Sequence, residues 1–404
     1  MKEQEIRNIL QEYQTPAYVF DLDALAERLK KISSVLKQGH MDLCYAMKAN
    51  PFLTGAMEPF VERFEVCSPG EFRICEREQL PMERLVISGV NKEPEDILRI
   101  VKNCQGRGIF TIESLRQMEL LAECARNTGY HLNVLVRISS GNQFGVDRTL
   151  AVKIFAEQEK YPELIFQGIQ YYSGTQKKNL ALIEQELKSL DDFCQEVREQ
   201  GHSVKELEYG PGFWVPYFQS DAEESPERLL EEFRKLVQNM RFGGKITLEM
   251  GRFLTADCGS FLTSIVDRKD TQGQIYGIVD GGIHHLNYYG QTMAMKLPHV
   301  RHISCGSPPV DAGTGSAKEQ TEEKWNLCGS LCTTADVIVK QFPLTGGKVG
   351  DVLVFERVGA YSVTEGINLF LSRDLPKVLF YSQAQGARLI RDSQATDRIN
   401  SGNL

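Results

Sequence analysis

Eight short β-rich apolar runs, each followed by a longer stretch, constrain this chain more than any other feature. The runs are Leu43–Met47, Phe64–Cys67, Leu85–Ser88, Ile109–Ile112, Leu132–Ile138, Phe166–Tyr172, Leu207–Tyr209 and Ile246–Met250. Helical periodicity lies between them, as in Pro69–Glu78, Glu95–Asn103, Ser114–Thr128, Leu180–Gln200 and Pro226–Asn239. Strands that alternate with helices imply a parallel sheet. Eight such units are the count for a closed (β/α)8 barrel. After about residue 255 the pattern changes to strands joined by turns, in Gly259–Asp267, Gln274–Val279, Trp325–Leu327, Asp336–Val339 and Asp351–Phe355. Ala17–Phe20 is also strand-like and fits with this later group. The expected fold class is α/β: a TIM-like barrel over residues 28–255 and a C-terminal β-domain, a sandwich or barrel, over 256–404. An N-terminal segment, residues 1–27, is expected to join the β-domain, and the polar tail Ala384–Leu404 is expected to fray.

The 404 residues suffice for two domains. With 46 Lys+Arg against 54 Asp+Glu, the net charge of -8 gives no electrostatic reason to expect nucleic acid or an acidic membrane as partner. No apolar run reaches the roughly 18 residues a bilayer span needs. Met1–Gln14 is polar and lacks the apolar stretch of a signal peptide, so a cytoplasmic protein is expected. Ten cysteines in such a chain read as reduced thiols. Cys328 and Cys332 have no second Cys or His pair at zinc-finger spacing near them, and no metal site is expected.

Polar residues recur just beyond the apolar runs. Lys48, Ser68, Asn91 and Glu113 follow the first four, and Arg137 and Tyr172 close the next two. Gly210-Pro211-Gly212 follows the seventh, and Glu249 with Gly251 and Arg252 closes the eighth. In a parallel barrel the strand C-terminal ends carry the site, so this repetition points to one functional mouth. A lysine at a strand end is a partly desolvated amine that can form a Schiff base, or a side chain that snorkels to solvent. The last two βα loops of a barrel frequently bind phosphate. Gly210, Gly212 and Gly251 would let backbone N–H groups approach it, and Arg252 would add charge. Two tight turns are the bland alternative. In Cys328–Asp336, small and polar residues surround a thiol that can exchange protons, or that is simply buried in a turn.

Taken in order, these motifs resemble the fold-type III pyridoxal-phosphate decarboxylases, the family of diaminopimelate, ornithine and arginine decarboxylases. The resemblance runs from about Thr15 to about Leu371. Tyr45-Ala46-Met47-Lys48-Ala49-Asn50 looks like the motif whose lysine binds the cofactor as a Schiff base. Glu65 stands in the acidic second-strand motif, Arg137 matches an arginine near the cofactor, and Thr175 follows the ring-stacking position at Tyr172. Gly210-Pro211-Gly212 takes the place of the glycine-rich phosphate loop, with Pro211 a departure. Glu249-Met250-Gly251-Arg252 resembles Glu-Pro-Gly-Arg, whose Glu contacts the pyridine nitrogen. Cys332 and Asp336 match residues contributed by a second subunit, and Tyr361 matches a phosphate-contacting tyrosine. The resemblance thus implies an alanine racemase-like architecture, pyridoxal 5'-phosphate as cofactor, and a homodimer with its active sites at the subunit interface. It assigns Lys48 and Cys332 to catalysis, Cys332 as the proton donor to Cα.

Three departures bear on the substrate. Tyr172 stands where the family has a stacking histidine; it can stack but cannot take up and release a proton near neutral pH as histidine can. Thr333 replaces the acidic residue that pairs with a distal ammonium. The family's Tyr-Asp pair is not evident in His284–Tyr289. A buried ammonium without a carboxylate partner is costly. The expected substrate is therefore an amino acid with a neutral or acylated distal end, free or tethered to a carrier protein. The nearest branch is the one that includes the butirosin glutamyl-carrier-protein decarboxylase and siderophore decarboxylases. Arg252, His285, Thr333, Asp336 and Tyr361 are the expected substrate contacts. Three readings compete: a diaminopimelate decarboxylase of lysine biosynthesis, a racemase of the same fold, and a noncatalytic cofactor-binding paralogue. Racemases of this type place Arg at the pyridine nitrogen, which Glu249 argues against, and the presence of Lys48 with Cys332 argues against an inactive protein.

Overall fold

A computed structural model of the chain describes residues 1–223, 225–305 and 321–402. They form two compact units. One comprises Glu27–Val215 and Glu224–Leu254; the other comprises Met1–Ala26, Pro216–Glu223 and Thr255–Leu404.

The first strand, β1 (Ala17–Asp21), belongs to the second unit. The next eight close the barrel: β2 (Met41–Ala46), β3 (Arg63–Val66), β4 (Leu85–Ile87), β5 (Ile109–Ile112), β6 (Leu132–Ile138), β7 (Leu164–Tyr172), β8 (Glu206–Gly210) and β9 (Lys245–Met250). Every neighbouring pair is parallel, and β9 returns to β2. The eight apolar runs are these strands, shifted at their edges by at most two residues. The helices between them start where the local chemistry allows. Ser68 and Ser114 cap two of them by accepting from Glu71 N and Gln117 N, and proline opens Pro69–Arg77, Pro94–Cys104 and Pro226–Gln238.

Strand alternation sorts the barrel's side chains. On β7 and β8, Tyr171 and Tyr209 face outward; their rings stack at 6.3 Å, and Tyr209 stacks on Phe233 of helix Pro226–Gln238 at 6.2 Å. Their neighbours Gln170 and Glu208, register partners across β7 and β8, therefore face inward. The interior is divided. Cys44, Val86, Ile109 and Leu135 form an apolar cluster from β2, β4, β5 and β6. Polar residues fill the other side: Arg63, Gln170, Glu206, Glu208 and Thr247 from β3, β7, β8 and β9.

The second unit continues with β10 (Gly259–Thr271), β11 (Gln274–Val279), β12 (Val300–Ile303), β13 (Glu322–Cys328), β14 (Val337–Thr345), β15 (Val352–Glu356), β16 (Lys377–Ser382) and β17 (Gly386–Arg391). Among the described residues its nine strands run in the order β14-β13-β11-β10-β1-β16-β17, with β15 pairing both β10 and β12. β1 is buried along its whole length and joins β10 antiparallel to β16 parallel. Ile6 and Ile9 of helix Glu3–Glu12 cover Val19, Leu262, Val354 and Leu379. The tail expected to fray beyond Ala384 instead contains β17, whose Arg388 and Leu389 are in register with Phe380 and Leu379. Its backbone bonds to β16 compensate for its weak apolar pattern, so hydropathy alone understated it. No helix of the described residues is long and apolar enough to cross a membrane.

Candidate active site at the barrel mouth

Lys48 sits in the tight turn Met47–Ala49 that ends β2. Its ammonium donates to Glu65 Oε2, lies 3.4 Å from Glu249 Oε1, and lies 3.7 Å from Cys67 Sγ. Glu65 is buried on β3, whereas the Lys48 side chain remains 39% exposed at the mouth. Burial alone would raise both carboxyls. At Glu65 the Lys48 charge and hydrogen bond outweigh burial and hold the group at about 2. At Glu249, burial and the adjacent Glu65 charge push it up to about 7, against the pull of Lys48.

A second polar layer lies below. The Gln170 carboxamide donates to Glu208 Oε1 at 2.8 Å and to Glu249 Oε2 at 3.2 Å. Below that, Arg63 forms a two-pronged pair with Glu206, which also accepts from Thr247 Oγ1 at 3.0 Å. On the β4–β6 side, Arg137 Nη1 lies 3.4 Å from Glu113 Oε2, and its guanidinium sits over the Phe144 ring. Lys92 is buried nearby with only neutral acceptors: Gly89 O, Thr111 Oγ1 and Gln117 Oε1, at 2.7, 3.3 and 3.2 Å. Burial pulls its pKa down to about 8.

The ends of β7, β8 and β9 close in on one another. At Gly212, with φ +62°, a Cβ would lie 2.0 Å from Gly174 O, so no side chain fits there. A Cβ on Gly210 would meet the Tyr172 ring at 2.6 Å. Arg252 Nε donates to Thr175 Oγ1 at 3.3 Å. Burial raises the Tyr172 phenol, which is therefore neutral at physiological pH. The barrel mouth thus brings together Lys48, Glu65, Arg137, Tyr172, Thr175, Gly210, Gly212, Glu249, Gly251 and Arg252. This set fits pyridoxal phosphate: an amine for its aldehyde, a buried acid for its ring nitrogen, and a side-chain-free turn with an arginine for its phosphate.

The other expected residues belong to the β-unit. Cys332 is exposed on the turn between β13 and β14. Asp336 organises that turn: Oδ1 accepts from Ile283 N at 2.8 Å and Oδ2 from Leu331 N at 2.7 Å. Thr333 Oγ1 accepts from Ala335 N at 3.3 Å. His285 is 2% exposed, 3.6 Å from the His284 ring and 5.2 Å from Phe261. Burial holds its imidazole well below its ordinary pKa, so it is neutral. Tyr361 has φ +67° and its carbonyl accepts from Thr364 N and Glu365 N.

Sequence reasoning passed over Gln170, Glu208 and Lys92, and counted Cys67 among the bland thiols. The one available signal was alternation: an inward polar residue inside an otherwise apolar strand, as in Leu207-Glu208-Tyr209.

An anchored amine above buried acids at the mouth of a parallel barrel defines a cofactor-dependent enzyme of the carbonyl-binding class. Residues 22–256 match the family described as "Pyridoxal-dependent decarboxylase, pyridoxal binding domain". The chain belongs to this family, and so is a pyridoxal-phosphate-dependent amino-acid decarboxylase. It is 26% identical to the diaminopimelate decarboxylase of Zymomonas mobilis, over 97% of this chain and 93% of that one. It is 25% identical to the L-glutamyl-[BtrI acyl-carrier protein] decarboxylase of Niallia circulans, over 92% and 90%. Its fold is similar to that of the M. jannaschii diaminopimelate decarboxylase solved in co-complex with L-lysine, with a TM-score of 0.85, 22% identity, and coverage of 98% and 94%.

Proposed function

We propose that this decarboxylase removes the α-carboxylate of an amino acid whose distal end is neutral or acylated, free or carried on a protein as in the Niallia relative. The observation that carries this reading is the charge around Thr333. The groove beside it, about 840 Å³, is lined by Gln274, Tyr276, Asn326, Lys340 and others among the described residues; Asp336 is the one carboxylate in it. Both Asp336 oxygens are already engaged by backbone donors. A distal ammonium would find no free carboxylate there, and an unpaired buried ammonium is costly.

The residues divide the work as follows. Lys48 would anchor the cofactor's aldehyde, and Gly210, Gly212 and Arg252 of the barrel would hold its phosphate; Tyr361 is the β-unit's candidate for a phosphate contact. Tyr172 would stack on the ring, Arg137 and Thr175 would complete its surroundings, and Glu249 would favour a proton on the ring nitrogen. Pyridoxal phosphate supplies the sink for the electron pair left when CO2 departs. Cys332, brought by the second subunit of a homodimer, delivers the proton to Cα. The candidate substrate contacts are Arg252 in the barrel unit and, in the β-unit, His285, Thr333, Asp336 and Tyr361, with His285 a neutral ring.

The test is CO2 release from a panel: free diaminopimelate, lysine and ornithine against N-acylated and carrier-tethered amino acids. Turnover of the acylated or tethered set is expected to exceed that of the free diamino acids by at least tenfold, the loss expected from one unpaired charge. Preferred turnover of free diaminopimelate would overturn the proposal in favour of lysine biosynthesis.

A further inference from the structure

Glu208 has no role in the scheme above, yet its setting is unusual. It is 0% exposed. Its Oε1 accepts from Gln170 at 2.8 Å, and its Oε2 has no hydrogen-bond partner. The nearest cation, Arg63 Nη1, is 3.9 Å from Oε2, but both Arg63 prongs are committed to Glu206. The remaining charges facing it are Glu249 from β9 and Glu65 from β3, with the Cys44 thiol of β2 beside them. A buried carboxylate with one bare oxygen and anionic neighbours takes up a proton rather than keep its charge.

The link from Glu208 to Glu249 is a single group. A carboxamide NH2 carries two hydrogens, and Gln170 Nε2 lies closer to the two carboxyls, at 2.8 and 3.2 Å, than to its third acceptor, Ser88 Oγ, at 3.4 Å. The Gln170 oxygen has no partner of its own. The bridge is fixed by register, because Gln170 and Glu208 are direct partners on β7 and β8.

We propose that Glu208, joined to Glu249 through the Gln170 carboxamide, is a positioning residue that holds a proton in the barrel interior, so that Glu249 is the one of the two that carries the charge facing the cofactor ring. The Gln170 hydrogens orient Glu249 and favour its anion. A charge on Glu208 would raise the Glu249 pKa and weaken its hold on the ring proton. This rests on the assignment of Glu249 to the ring nitrogen.

Burial and the Glu249 charge raise Glu208 to about 8, which places its titration in an accessible range. The experiment follows two signals against pH in the holoenzyme: the cofactor's visible absorbance and the infrared carbonyl band of a protonated carboxyl. In the native protein both are expected to change together near pH 8. Glu208→Gln, a neutral isostere, should abolish the component near pH 8 in both signals and leave only a lower step from Glu249. Gln170→Leu should leave an infrared titration but disconnect the absorbance from it, and should weaken cofactor binding about tenfold through the lost hydrogen bond to a charged group. Persistence of the infrared titration near pH 8 in Glu208→Gln would overturn the proton assignment, and the native protein itself provides the reading if that variant fails to fold. An absorbance that ignores Glu208→Gln and Gln170→Leu, yet responds to Glu249→Gln, would overturn the coupling alone. An absorbance indifferent to Glu249→Gln as well would overturn the ring-nitrogen assignment and the proposal with it.

Discussion

The barrel mouth and the Cys332 turn place candidate functional side chains by opposite means. In the barrel, charges hold each other: Lys48 bonds Glu65 and lies 3.4 Å from Glu249. In the β-unit, one carboxylate holds backbone: Asp336 accepts from Ile283 and Leu331 N–H groups and so ties the Cys332 turn to the β11-side loop. The first arrangement is tunable, because each group's ionisation depends on its neighbours'. The second is geometric, because backbone N–H groups do not titrate. Chemistry that needs protons placed on chosen atoms draws on the first; delivery of one thiol to a fixed position draws on the second.

The contrast breaks most sharply at Lys48. Lys48→Ala removes the anchoring amine and leaves Glu65 and Glu249 buried beside each other without the adjacent ammonium, with the Arg137 charge still acting on them. The visible absorbance of covalently held cofactor is expected to vanish, with decarboxylation lost; an unchanged spectrum would reject the Lys48 assignment. The next effect is smaller and concerns stability. A carboxyl at 4.5 unfolded and about 8 folded binds its proton more tightly in the native state. Native stability from this group is therefore greatest at or below pH 4.5 and is lost as pH rises toward 8. Glu65 has the opposite sign: lowered to about 2, it contributes stability above its ordinary pKa that is lost as pH falls toward 2. Thermal melts from pH 5 to pH 8 should thus decline less steeply in Glu208→Gln than in the native protein; parallel slopes would show that Glu208 is not the titrating group.

How far the sequence foretold this arrangement follows from the same contrast. The eight barrel strands were legible because apolar runs and helical periods alternate, and Lys48, Glu249 and the Gly210–Gly212 turn were legible because they end strands, where polar residues stand out. Gln170 and Glu208 lie inside strands, and their pairing depends on β7–β8 register, which joins residues 38 apart in sequence. Lys92 was passed over, since nothing local shows that Thr111 and Gln117 enclose it. β12 and β17 were missed because edge strands with mixed exposure lack a strong apolar pattern, whereas β16, an apolar run paired on both sides by β1 and β17, was passed over. Asp336 was recognised, but as a substrate contact; its two backbone partners are spread over residues 283 to 331, and only folding brings them together.

Asp336 gives the geometric side of the comparison its own test. Its carboxylate is 2% exposed and bonded at both oxygens. Asp336→Ala leaves two N–H groups without acceptors, at a cost of about 1–3 kcal/mol each if they stay buried. A Cβ at Gly282 or Gly329 would lie within 3 Å of the Asp336 oxygens, so these glycines already allow the two segments to close around the carboxylate. Without it the turn loosens and Cys332 loses its fixed position. The expected result is a kcat reduced about tenfold or more, because a small misplacement of a reacting group has effects of that size. Cofactor absorbance should be unchanged, because the barrel's charges do not depend on this turn. Asp336→Asn keeps one carbonyl acceptor and should recover part of the loss, in kcat rather than in KM. If instead the asparagine variant matched alanine in kcat and both raised KM alone, Asp336 would be acting on the substrate directly, and the division between a titratable barrel and a geometric turn would fail at this residue.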